Sequence, residues 1–140
     1  RMQGYEEGLA EYGITPIAEQ SGNNVSDTAK AAMEDLLTRF NNEIDAVLCH
    51  NDDTAIGALS ACQDAGVADD ITIIGFDGNQ SAVELVNSGD LAATIAQQPE
   101  EMGYTAVMNA YKAINGEEVE ESIPIETVFI TQENAAEYLK

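Results

Sequence analysis

Basic residues are scarce: five lysines and arginines face twenty-six aspartates and glutamates, for a formal net charge of −21. A surface of that sign repels phosphate backbones and anionic headgroups, so nucleic acid and membrane surfaces are poor partners for this chain. Apolar runs are short, and none approaches the roughly 20 residues that span a bilayer. Cysteine is limited to Cys49 and Cys62. They show no C-x-x-C spacing, so neither metal nor redox chemistry is indicated. Cys49 ends an apolar strand pattern and Cys62 falls on the next helical pattern, too far apart for a disulfide, and both are expected in the core. The single histidine, His50, directly follows Cys49. On an extended segment those two side chains point to opposite faces, a poor nucleophile–base couple. The chain also lacks a G-x-S-x-G elbow, a G-x-G-x-x-G fingerprint, a P-loop and an acidic calcium loop. No catalysis, cofactor or metal is expected.

What remains is the composition of an ordinary globular domain, 44% hydrophobic over 140 residues, enough for one domain that buries roughly two-thirds of its unfolded surface. The acidity reads as a solvated exterior suited to an extracytoplasmic or salt-exposed protein. The chain opens on Arg-Met-Gln-Gly with no apolar leader, so any export signal is expected upstream of it.

Periodicity organises the chain. Tyr5, Leu9 and Tyr12 share one face of a helix over 2–12, stopped at Gly13. Ile14 to Gln20 reads as a strand, with Pro16 favouring an edge. Ser26 or Asp27 is expected to cap a helix whose stripe is Ala29, Ala32, Met33, Leu36, Leu37 and Phe40. Apolar strands are expected at Ile44–Cys49, Ile71–Phe76, Leu91–Ala96 and Ile125–Thr131. Helices are expected over Thr54–Ala65, from Gln80 or Ser81 to Asn87, and over Glu100–Ile114 with Pro99 near its start, followed by a short helical tail within Glu133–Leu139. Apolar strands alternating with helices predict an α/β fold, an open, mainly parallel sheet flanked by helices on both faces.

Ligands of such sheets bind beyond the carboxyl ends of the strands. Those ends carry Asn51 and Asp52, then Asp77 and Asn79, then Gln97. Carboxylates and carboxamides suit a neutral, hydroxyl-rich ligand, because a carboxylate accepts from neighbouring hydroxyls while an amide both donates and accepts. Each residue also has a plain structural use. Asn51 and Asp52 are equally good helix caps, and Asp77-Gly78 is an ordinary turn dipeptide. Their shared location at three strand ends favours binding. An aspartyl-phosphate receiver built on Asp52-Asp53 is disfavoured, because it needs a lysine at a strand end and none of Lys30, Lys112 and Lys140 follows a strand.

At Asn51-Asp-Asp-Thr-Ala-Ile-Gly-Ala-Leu59, Ile74-Gly-Phe-Asp-Gly78 and Leu91-Ala-Ala-Thr-Ile-Ala-Gln97-Gln-Pro99 the sequence resembles the C-terminal half of ribose-type periplasmic sugar-binding proteins. Their type I fold is shared with the effector domains of LacI/GalR-type repressors. The resemblance covers essentially the whole chain. It implies that Arg1, four residues before Tyr5, binds sugar together with Asn51, Asp77 and Gln97. Where the family often stacks an aromatic residue on the sugar, this chain has Asn24 or a neighbour within Gly22–Val25, which favours a pentose other than D-ribose, a hexose or a polyol.

The resemblance further implies that residues 1–97 and 123–140 form the C-terminal ligand-binding lobe. Residues 98–122 would be a helix and loop that pack on an N-terminal lobe outside this sequence, and the strand before Arg1 would be missing, leaving a hole in the sheet. Tyr104, Val107, Met108 and Tyr111 would then be exposed or covered by self-association. The implied protein is the solute receptor of a sugar ABC importer, working with a membrane permease in the periplasm or as a cell-surface lipoprotein. The alternative is the effector-binding domain of a LacI/GalR-type regulator.

Overall fold

The computed structural model describes residues 1–139; Lys140, the last residue assigned to the ligand-binding lobe, lies outside them. In chain order the elements are α1 (Met2–Glu11), α2 (Ser26–Arg39), β1 (Ala46–Leu48), α3 (Asp52–Ala65), β2 (Thr72–Asp77), α4 (Gln80–Ser88), β3 (Ala93–Ala96), α5 (Pro99–Ile114) and β4 (Val128–Thr131). Short 3-10 turns occupy Ala68–Asp70 and Ala135–Tyr138. The four strands form one sheet in the order β1-β2-β3-β4. β1, β2 and β3 run parallel, and β4 returns antiparallel along β3. The α/β reading holds.

Parallel strands need crossovers, and here α3 joins β1 to β2 and α4 joins β2 to β3. Both helices pack on the same face of the sheet, with α2 outside α3, so one core forms between them. Its centre is Ile73 from β2, Val83 and Val86 from α4, Leu91 before β3, and Ile130 from β4, each at most 1% exposed. Burying side chains of this size contributes about 1.5–3 kcal/mol apiece before the entropy of ordering them. Met33 and Leu37 bring the α2 stripe into the same cluster, while Leu36 and Phe40 pack at its margin. Alternation along β2 turns Phe76 to the opposite face, where the guanidinium of Arg1 lies over its ring at 3.9 Å. Thus the amino end of α1 reaches the second face.

Several expectations are corrected. Residues 14–20 form no strand, and Ile14 and Ile17 stay exposed. Among the described residues no strand runs beside them, and an extended segment without a partner has nowhere to place its N–H and C=O groups except water. The four strands are contiguous, and among the described residues β1 has no strand on its outer edge. Helix α2 is capped by Val25 in extended conformation rather than by Ser26 or Asp27. Asp27 instead sits in the first turn, where a negative charge favours the positive helix end. Helix α3 begins at Asp52, two residues earlier than Thr54. The last strand is confined to Val128–Thr131, where it has Ala93–Ala96 to pair with.

Helix α5 buries none of its residues, and Tyr104, Val107, Tyr111 and Ile114 are each more than 60% exposed. The two cysteines are free and buried.

Candidate functional site

The parallel strands all end on the same rim of the sheet, and the chain places polar residues at each end. After β1, His50 leads into Asn51, whose Oδ1 accepts the Thr54 N–H at 2.9 Å, while Thr54 Oγ1 donates back to the Asn51 carbonyl at 2.9 Å. This is a reciprocal N-cap. Because the cap uses Oδ1 alone, the Asn51 side-chain amide keeps its two donors for another partner.

β2 ends on Asp77, whose carboxylate is the hub of the rim. Asp77 Oδ1 accepts from Arg1 Nη2 at 2.8 Å and from Gln97 Nε2 at 2.5 Å. Arg1 Nη1 also donates to the carbonyl of His50. The guanidinium therefore ties the ends of β1 and β2 while its plane covers Phe76, a cation–π contact on the side that hydrogen bonds do not use. Tyr5, one turn along α1, donates its hydroxyl to the Cys49 carbonyl at 2.9 Å and meets the His50 ring edge-on at 5.7 Å. Burial pushes the Tyr5 phenol above its ordinary pKa, so it remains a donor at neutral pH.

The structure thus brings Arg1, Asp77 and Gln97 into one hydrogen-bonded group, with Asn51 beside the His50 carbonyl that Arg1 engages. Asn24 stands apart from it. It is exposed, adopts φ +56°, and makes no side-chain hydrogen bond among the described residues. Its loop nonetheless lies against the first turn of α3, since Gly22 packs beside Thr54. Asn79 is exposed at the start of α4. A depression of about 560 Å³ opens at the rim, lined by Asp77, Asn79, Gln97, Pro99 and Met102. That volume suits a small ligand. Met102 and Pro99 come from α5, and neither is among the site residues expected from the sequence.

Asp52 is the residue that strand-end reasoning misplaced. It does not face the rim. Its side chain points inward from the first turn of α3 and is 0% exposed. There Oδ1 accepts from Thr94 Oγ1 at 2.7 Å, and Oδ2 accepts from the Asn79 N–H at 2.7 Å. Burial raises its pKa, and the bonds from Thr94 and Asn79 pull against that rise.

Residues 1–118 match the periplasmic binding protein domain family. The chain is 34% identical over 133 residues to the ribose import binding protein of Escherichia coli, covering 95% of this chain and 44% of that protein. Among solved structures, it superposes with a TM-score of 0.89 on an ABC transporter periplasmic solute binding protein from Actinobacillus succinogenes with bound D-allose. That protein is 32% identical, and the match covers 96% of this chain and 48% of the other. The Caulobacter myo-inositol binding protein, bound to myo-inositol, gives a TM-score of 0.87 at 32% identity over 97% of this chain and 47% of that one. The chain spans about half the length of the relatives it matches.

Proposed function

This chain belongs to the periplasmic binding protein domain family, and from that premise we propose that it is one lobe of the solute receptor of a sugar importer. It holds a small neutral pentose, hexose or polyol through Arg1, Asn51, Asp77 and Gln97. The observation that carries this reading is the convergence of Arg1 and Gln97 on Asp77 Oδ1 at the carboxyl ends of the strands. A carboxylate fixed by two donors through one oxygen presents its other oxygen to ligand hydroxyls, and such charge-assisted bonds are the strong ones in a neutral-ligand site. The net charge of −21 is compatible with a neutral ligand and disfavours an anionic one. The relatives named above are a ribose import binding protein and receptors with bound D-allose and myo-inositol, which favours the importer over the LacI/GalR-type regulator and supports an extracytoplasmic location.

In this reading residues 1–97 and 123–140 are the ligand-binding lobe. Residues 98–122 pack on a second lobe, which supplies the remaining contacts, closes over the ligand about a hinge, and joins this lobe in presenting the closed receptor to an ABC permease. The apolar residues along α5 are what such a lobe, or a second copy of the chain, covers. With half of the contacts elsewhere, the 140-residue chain alone binds sugar weakly. The test is an amide and side-chain NMR titration of this chain with D-ribose, D-allose and myo-inositol. Shifts confined to Arg1, Asn51, Asp77, Gln97 and their neighbours, lost in Asp77→Asn, are expected at millimolar sugar. No localised response to any of the three, or a micromolar affinity in this lone lobe, overturns the reading.

A further inference from the structure

Three features mark the end of β2. Asp77 adopts φ +116°, a conformation that non-glycine residues rarely enter. Gly78 follows at φ +74°, packed so closely on Ala96 that a Cβ there overlaps it. Gly75, two residues upstream, has Asp52 Oδ1 in the space its own Cβ would fill. The backbone is pared back around the buried Asp52 carboxylate at Gly75 and bent against Ala96 at Gly78.

We propose that Asp52 is a positioning residue: with Thr94, it holds the Asp77-Gly78-Asn79 turn in its strained shape and so sets the direction in which Asp77 presents its carboxylate. The inference rests on the proposed sugar site, because it concerns the residue at that site's centre.

The hydrogen bonds form a directed chain. The Gly78 N–H donates to Thr94 Oγ1 at 3.3 Å, Thr94 Oγ1 donates to Asp52 Oδ1, and the Asn79 N–H donates to Asp52 Oδ2. Two successive amides after Asp77 are therefore fixed from beneath the sheet by groups that never reach the ligand. Thr94 is itself 0% exposed, so water cannot replace either bond. Only an acceptor with two oxygens satisfies both donors. An asparagine at position 52 would keep the Asn79 N–H on its Oδ1 and point its NH2 at Thr94 Oγ1, reversing that bond and leaving the Thr94 hydroxyl proton without its acceptor, whereas an alanine removes both acceptor oxygens. As the first residue of α3, Asp52 also sits where the helix end favours its negative charge.

The test uses the 140-residue chain in three variants. In Asp52→Ala, which removes both acceptor oxygens, hydrogen exchange at Asn79 should accelerate at least tenfold relative to amides in the β2–β3 ladder. The Asp77 carboxyl carbon and the Arg1 guanidinium resonances should shift, and the millimolar D-allose response should weaken at least tenfold. Thr94→Val, which keeps the shape and removes the hydroxyl, should reproduce the effect at Gly78, and Thr94→Ser should restore the parent behaviour. A purely structural role would loosen the ladder and the turn together and would not separate valine from serine. Unchanged Gly78 and Asn79 exchange in Thr94→Val overturns the proposal, even if Asp52→Ala fails to fold. Loosening confined to the turn, with shifted Asp77 and Arg1 signals, upholds the positioning role. It does so even in a chain that gives no response to any sugar, an outcome that would retire the sugar site alone.

Discussion

Arg1 Nη2 and Asp77 Oδ1 lie 2.8 Å apart, joining the residue before α1 to the last residue of β2. Both side chains are about 30% exposed, so water screens the pair and its contribution to stability is at most about 1 kcal/mol. Its value lies in orientation.

Arg1→Met should therefore separate binding from folding. Differential scanning calorimetry should show a melting temperature lowered by no more than about 4 °C, while the D-allose response in NMR disappears. A much larger thermal loss would mean that Arg1 is a structural strut.

Gly75→Ala tests how tightly Asp52 is seated. The new methyl group would overlap Asp52 Oδ1 and press on Ala55 Cβ, and overpacking of this kind costs about 1–3 kcal/mol. Urea unfolding should show a lowered midpoint at unchanged slope, and exchange at Asn79 should rise with it.

Cys49 gives a pH dependence with a definite sign. Burial pushes its thiol from 9 up to about 11. The protonated, buried thiol thus contributes stability that is full below about pH 9 and is lost as pH rises through 11. Urea midpoints of the parent and Cys49→Ala should converge over that window. At pH 8 neither cysteine should react with iodoacetamide in the folded protein, and both should react in urea.

The triple substitution Tyr104→Ser, Val107→Ser, Tyr111→Ser removes three exposed side chains from α5. No core contact is lost, so the urea midpoint should move by no more than the equivalent of about 0.5 kcal/mol per site. Sedimentation velocity should show less self-association in the variant than in the parent chain at equal concentration.

Most of the fold was legible because its elements are locally encoded. The apolar stripe of α2, the Pro99 start of α5 and the apolar run of β2 each state their structure within a dozen residues. Ile14–Gln20 has the composition of a strand and none of its pairing, because a strand is a relation between two segments and local composition reports only one. At the rim, strand ends pointed to Asp77 and Gln97, and the structure brings these together with Arg1. Asp52 and Thr94 were hidden because their bond spans 42 positions. The available signal was the single hydroxyl in Leu91–Ala96, a polar residue in an otherwise apolar strand that must have a partner somewhere.

Because both native thiols are sealed in the core, the outer surface is chemically blank to maleimides. A cysteine introduced at Met102, on the lip of the depression beside Gln97, would be the sole reactive handle on the folded protein. One dye attached there would report, as a change in fluorescence, whatever enters the rim. The arrangement turns an unmodified background into a ready sensor scaffold, with no need to delete either cysteine first.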